Sequence, residues 1–180
     1  MALCDDALVW VDMEMTGLNP ESCGIVQVAM VITDWELKPL CAGVEWNVWQ
    51  PESVLEKMNP FVRHMHEKSG LLSKIRASEL AVEDVERKAL ELLNRHVSYR
   101  AGKLAGNSVW QDRRFMMKYM PTLESYLHYR QVDVSTLKEL ANHWYGKVYP
   151  KPTGGEHTAL FDIEQSIAEL KYLRAEAMQQ

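Results

Sequence analysis

Val9-Trp10-Val11-Asp12-Met13-Glu14-Met15-Thr16-Gly17 sets two carboxylates two residues apart inside an otherwise apolar, strand-like run. Successive side chains of a strand point to opposite faces, so Asp12 and Glu14 share a face with Trp10, while Val9, Val11 and Met13 face the other way. Two like charges held that close repel unless a cation lies between them, and acids are rarely buried without a partner. A divalent metal is the simplest partner. The stretch therefore predicts a strand that ends in a metal site, with further ligands to be supplied from elsewhere in the chain.

Working outward, residues 25–34 and 40–49 are also rich in Val, Ile, Trp and Met, with turn signals at Gly17–Pro20 and Trp35–Pro39. Together with residues 7–15 they predict three consecutive strands in an antiparallel meander. From Ser78, a plausible cap, Leu80, Val82, Val85, Ala89, Leu92, Leu93 and Val97 recur near helical spacing. A short strand through Leu104–Asn107 follows, then a helix over Asp112–Tyr119 ended by Pro121, and a strand over Tyr129–Val134. A helix over Ser135–Trp144, with Ser135 and Glu139 as a loosely spaced cap pair, leads to the Pro150–Gly155 loop. Leu160, Ile163, Ile167, Leu170 and Leu173 then mark a final amphipathic helix. The order βββαβαβα implies an α/β domain, a mixed sheet with helices packed on it.

At 180 residues, 47% hydrophobic and 25% charged, the chain predicts one globular domain spanning residues 1–180. A net charge of −5 argues against a broad phosphate-neutralising surface for long duplex nucleic acid, and leaves room for a short anionic substrate in a local site. Cys4, Cys23 and Cys41 are odd in number and lack CxxC spacing, so neither a disulfide framework nor a zinc knuckle is indicated. No run approaches a membrane span, and the start, Met-Ala-Leu-Cys-Asp-Asp, lacks the regions of a signal peptide. The expectation is a soluble chain of the cytoplasm with no membrane partner.

Two more acids and a histidine extend the opening motif. Asp112 lies in Gly106-Asn107-Ser108-Val109-Trp110-Gln111-Asp112-Arg113-Arg114-Phe115, and Asp162 follows His157 by five residues near the start of the last helix. Four carboxylates with one nearby histidine suit hydrolysis of a phosphodiester by two divalent ions, and oxygen ligands favour Mg2+ or Mn2+. His157 would accept the proton of the attacking water and must be close without being a ligand. Asp133 competes with Asp112, because it too ends a strand, and is assigned a structural role in capping or support. Arg113 and Arg114 are read as a solvated helix face.

On these residues the chain resembles the DEDDh branch of the 3′-to-5′ exonucleases and, within it, the oligoribonuclease family, over nearly its whole length. Asp12–Leu18 is similar to that family's first exonuclease motif, Gly106–Ser108 with Asp112–Phe115 to its second, and His157 with Asp162 to its third. His128-Tyr129-Arg130 and Asp133–Leu140 are similar to the signature of the subfamily. The resemblance implies an RNase H-like exonuclease fold with a mixed five-stranded sheet. It implies Asp12, Glu14, Asp112 and Asp162 as ligands to two divalent ions and His157 as general base. It further implies a cap of Ser108, Arg130, Ser135 and Thr136 on a 5′ phosphate, with Tyr129 supplied across a homodimer. Leu18 matches a wedge between bases, Phe61 stands where the family usually has a stacking tryptophan, and His66 fits the substrate-binding pattern. The implied substrates are short oligoribonucleotides, down to dinucleotides. An exonuclease that trims or proofreads longer strands would share the five catalytic residues and differ in the cap.

Overall fold

A computed structural model describes residues 2–150 and 158–178. Its sheet has the order β3-β2-β1-β4-β5, built from β1 (Ala7–Met15), β2 (Ile25–Thr33), β3 (Val44–Asn47), β4 (Gly102–Gly106) and β5 (His128–Asp133). β1, β2 and β3 pair antiparallel as the turn signals require, whereas β4 joins β1 and β5 joins β4 in parallel. The sheet is the mixed, five-stranded one expected, with β1 at its centre.

Alternation along β1 divides the interior into two layers. Ala7, Val9, Val11 and Met13 face a core with Val85, Ala89 and Leu93 of α4 (Val82–His96), Phe115 and Met116 of α5 (Trp110–Tyr119), and Leu123 of α6 (Pro121–Tyr126). Leu8 and Trp10 face a second core with Val134 and Ala141 of α7 (Val134–Tyr145) and Ile163, Leu170 and Leu173 of α8 (Ala159–Glu176). Trp10 is fully buried, and its indole N–H is satisfied by Thr33 Oγ1 at 3.0 Å. A β-bulge interrupts the register where Glu14 opposes Gln27 and Met15 opposes Ile25, so Val26 has no partner on β1. Val26 instead packs into a third, smaller core with Leu55, Met58, Leu71, Leu72 and Ile75. The bulge therefore sits beside Glu14, at the end of the strand that carries the acids.

Several boundaries differ from the sequence reading. The third strand covers only Val44–Asn47, because those four residues alone ladder onto β2, while Pro39 touches Thr33 as an isolated bridge. Residues 52–77, given no structure above, form α1 (Glu52–Leu55), α2 (Pro60–Lys68) and α3 (Leu71–Ala77). These helices are too short for helical periodicity to register, although Asn59 capping the Val62 N–H with Pro60 in the first turn is a readable start signal. Ser78 ends α3 and does not cap α4; its hydroxyl donates to Asn47 O and accepts from Leu80 N–H. Pro121 begins α6, at a position where its missing N–H is no loss. Asp133, and not the Ser135–Glu139 pair, caps α7. Among the described residues no helix is long and apolar enough to cross a membrane.

Candidate active site

The acids converge at the C-terminal ends of the parallel strands β1, β4 and β5, the edge of an α/β sheet where binding residues collect. One carboxylate oxygen each from Asp12, Glu14 and Asp162 lies within 4.8 Å of the others. Asp112 stands beside this group: it is only 6% exposed, and its Oδ1 accepts the Met13 N–H at 3.0 Å, between the two acids of β1. Gly106 makes the approach of β4 possible, since a Cβ there would lie 3.0 Å from the Val11 carbonyl oxygen.

Burial, with mutual repulsion added, raises these acids out of the ordinary carboxylate range. Asp12 is pushed well up by desolvation and then by Asp112, Glu14 and Asp162. Glu14 rises to about 7, again through burial first and then Asp162 and Glu45. Asp112 also rises to about 7 through burial, against the lowering effect of backbone N–H groups that include that of Met13. Among the described residues, no lysine or arginine contributes to any of the three shifts. A hard divalent cation suits this all-oxygen donor set and would relieve the repulsion that holds the protons on.

Neighbouring side chains fix the frame. Gln27 Oε1 accepts the Ala159 N–H at 3.1 Å and Glu45 Oε2 the Leu160 N–H at 3.3 Å, so β2 and β3 hold the first turn of α8 and with it Asp162. Thr158 caps the same helix through the Phe161 N–H. His66 is 1% exposed, with Nε2 2.9 Å from Met15 O and Nδ1 3.9 Å from Glu14 Oε2. Its ring is thus behind Glu14, and burial lowers its pKa, favouring the neutral imidazole. His157 lies outside the described residues.

Leu18 and Phe61 are 75% and 77% exposed, on the Thr16–Gly24 loop and on α2 respectively. Thr16 closes that loop by two bonds to Gly24, and Tyr119, Lys118 and Gln111 of α5 hold Cys23, Pro20 and Leu18 by their carbonyls. Across from it, Ser108 and Ser135 meet: the Ser108 N–H donates to Asp133 Oδ1 and to Ser135 Oγ, each at 3.0 Å, and the two hydroxyl oxygens are 3.2 Å apart. Asp133 therefore has the structural role expected of it, capping α7 and holding the Ser108 amide. The Ser135 amide N–H donates to Asp133 Oδ1 at 3.0 Å. Thr136 is exposed next to Ser135, whereas Tyr129 and Arg130 are exposed at the other end of β5, near its start, with the Arg130 guanidinium 5.4 Å over the Tyr129 ring.

Arg113 corrects the sequence reading. It bonds to Glu124, to Tyr129 O at 3.0 Å and to His128 O at 3.1 Å, tying α5 to the start of β5, whereas Arg114 is exposed as expected. Nothing in the periodicity marks Gln27 or Glu45. The one legible sign is a glutamine inside the apolar run Ile25–Thr33, where a buried amide needs partners.

Fold and site together define a nuclease of the exonuclease class, and residues 9–170 match the family model described as Exonuclease. An oligoribonuclease of Thiobacillus denitrificans is 47% identical over 175 residues, covering 97% of this chain and 96% of the relative. One of Francisella tularensis subsp. holarctica is 42% identical over 174 residues, covering 96% and 97%. The chain belongs to the oligoribonuclease family of exonucleases. Its fold is also that of exonuclease I from Methylocaldum szegediense, with TM-score 0.72 at 18% identity over 97% of the chain. It is likewise that of E. coli ExoI in complex with ssDNA, with TM-score 0.73 at 14% identity. The chain spans 41% of the length of each of these two structures, which carry the RNase H-like exonuclease fold.

Proposed function

We propose that this chain is a 3′-to-5′ exoribonuclease that hydrolyses short oligoribonucleotides, down to dinucleotides, to 5′-mononucleotides as a last step of RNA degradation. The observation that carries the reading is the cluster of Asp12, Glu14 and Asp162 at the strand ends, with Asp112 alongside. These four residues would hold Mg2+ or Mn2+, and two such ions, when bound, supply Lewis-acid stabilisation of the charge that develops on the phosphodiester. His66 packs behind Glu14, its Nδ1 3.9 Å from Oε2. His157 takes the proton of the attacking water as its oxygen bonds to phosphorus; the bond to the 3′ oxygen breaks and the mononucleotide leaves with the 5′ phosphate.

Substrate length is read by the cap. Ser108, Ser135, Thr136 and Arg130 offer hydroxyls and a guanidinium to a terminal 5′ phosphate, while Leu18 and Phe61 offer apolar surface to bases. Affinity concentrated in one pocket is how a chain of net charge −5 acts on RNA. A homodimer completes the cap with Tyr129 of the second copy. An exposed apolar face of Leu140, Trp144, Tyr145 and Met178, beside the open edge of β5, supports self-association. The three free cysteines fit a location in the reducing cytoplasm.

Competition between a 5′-phosphorylated dinucleotide and a long single strand, with and without Mg2+ or Mn2+, tests the proposal. Preferential cutting of the dinucleotide is expected. Equal cutting of both would identify a trimming exonuclease instead, and turnover that survives chelation would overturn the metal site.

A further inference from the structure

Ser108 lies at the turn between β4 and α5 with φ +51°, the left-handed region that residues with a side chain avoid. Its main-chain N–H is held there by Asp133 Oδ1 and Ser135 Oγ. Ser135 Oγ donates its own proton to Asn107 Oδ1 at 3.0 Å. The direction of the Ser135 hydroxyl therefore depends on which way the Asn107 amide faces. That amide is fixed from behind, because its Nδ2 donates to Ser166 Oγ at 2.9 Å and to Glu169 Oε2 at 3.0 Å.

Glu169 is 2% exposed and lies on α8 two turns beyond Asp162. Its other carboxylate oxygen is 3.5 Å from Lys138 Nζ of α7. A buried carboxylate stays charged only with such partners, and here they are a lysine and the Asn107 amide. The Ser166 hydroxyl donates a hydrogen bond to the Asp162 carbonyl oxygen at 2.9 Å, so the same network reaches the helix that bears a candidate metal ligand. Replacing a buried carboxylate by an apolar side chain of similar size is often neutral or stabilising, so a glutamate kept at this buried position points to a task for its hydrogen bonds.

We propose that Asn107 and Glu169 are positioning residues for the pocket that takes a 5′-terminal phosphate. The Glu169–Lys138 pair fixes the Asn107 amide, Asn107 fixes the Ser135 hydroxyl, and Ser135 holds Ser108 in the backbone conformation that presents its side chain to the substrate. The inference rests on the reading of Ser108, Arg130, Ser135 and Thr136 as the phosphate cap. Asn107 and Glu169 act through that cap and touch no substrate.

The test is steady-state kinetics of the full chain with Mg2+ on a dinucleotide carrying either a 5′ phosphate or a 5′ hydroxyl, with Tm measured in parallel. Glu169→Gln keeps the shape and removes the charge. KM for the phosphorylated substrate should rise about fivefold, the scale of one weakened hydrogen bond. KM for the hydroxyl substrate and kcat on both should stay within about twofold, since no group that reacts is altered. Asn107→Ala should produce the same split with a rise of about tenfold. Should Asn107→Ala not fold, Lys138→Met with Glu169→Gln carries the comparison. Equal changes on both substrates, or a fall in Tm with kinetics unchanged, would overturn the proposal and leave a purely structural network. If the parent chain and Ser108→Ala both fail to distinguish the two substrates, the phosphate cap itself falls, and the positioning role with it.

Discussion

The carboxylate cluster, carried by β1, α5 and α8, and the serine knot, formed where β4 and β5 end, differ in how their polar groups are satisfied. At Asp12, Glu14 and Asp112 the neighbouring side chains include further carboxylates, and burial raises every pKa. At Ser108 and Ser135 the main-chain donors are matched by Asp133, and the hydroxyl by Asn107. Crowded, desolvated carboxylates suit a bound cation, whereas main-chain donors that already have acceptors are preorganised. Under the proposed function the first supplies the chemistry and the second selects what reaches it.

Removing a carboxylate of the cluster should have the largest effect. Asp12→Asn or Asp162→Asn should lower dinucleotide turnover by about 10³-fold, the scale of losing a charge-stabilising element, and weaken Mn2+ binding measured by calorimetry. Unchanged turnover would mean the cluster is not the reaction centre. His157→Ala should lower kcat by roughly 10²- to 10⁴-fold with Mn2+ affinity intact, because a proton acceptor is not a ligand. Loss of metal together with activity would make it a ligand instead.

The cluster also has a pH signature. Glu14 and Asp112, both raised to about 7, favour folding in their protonated forms. Their contribution is complete below the ordinary carboxylate range and is lost as pH rises through about 7. Thermal unfolding in chelator should show the chain losing stability between about pH 4 and 7.5, and Glu14→Gln or added Mg2+ should flatten the decline. A Tm that climbs over that range would contradict the assigned shifts. At the knot the expected effect is smaller and confined to one substrate: Ser108→Ala should raise KM for the 5′-phosphorylated dinucleotide by about tenfold. Gly106→Ala, which presses on the Val11 carbonyl beneath both regions, should cost about 2 kcal/mol and a few degrees in Tm with little change in KM.

Much of this was readable along the chain. Alternation in Val9–Met15 assigns opposite faces to Asp12 and Met13, and the structure separates Val9, Val11 and Met13 from Trp10 accordingly. The long helix over Val82–His96 and the last helix were visible because each buries one apolar stripe. The helices between residues 52 and 77 were not, because they are four, nine and seven residues long and their stability comes from packing on Val26. Arg113 looks like a surface arginine until the carbonyls of His128 and Tyr129 come within its reach.

By itself the sequence determined the strand that carries two acids on one face, the further acids that match it, and the family to which the chain belongs. These are local or pairwise facts: strand alternation and the identity of the ionisable groups do not depend on the rest of the fold. Only the tertiary structure decided that Asp162 closes on Asp12 and Glu14 while Asp112 is held by a main-chain N–H, that His66 stands behind Glu14, and that Glu169 reaches the serine knot through Asn107. Such contacts join residues far apart in the chain, and loop closure and strand order set them where periodicity has no reach.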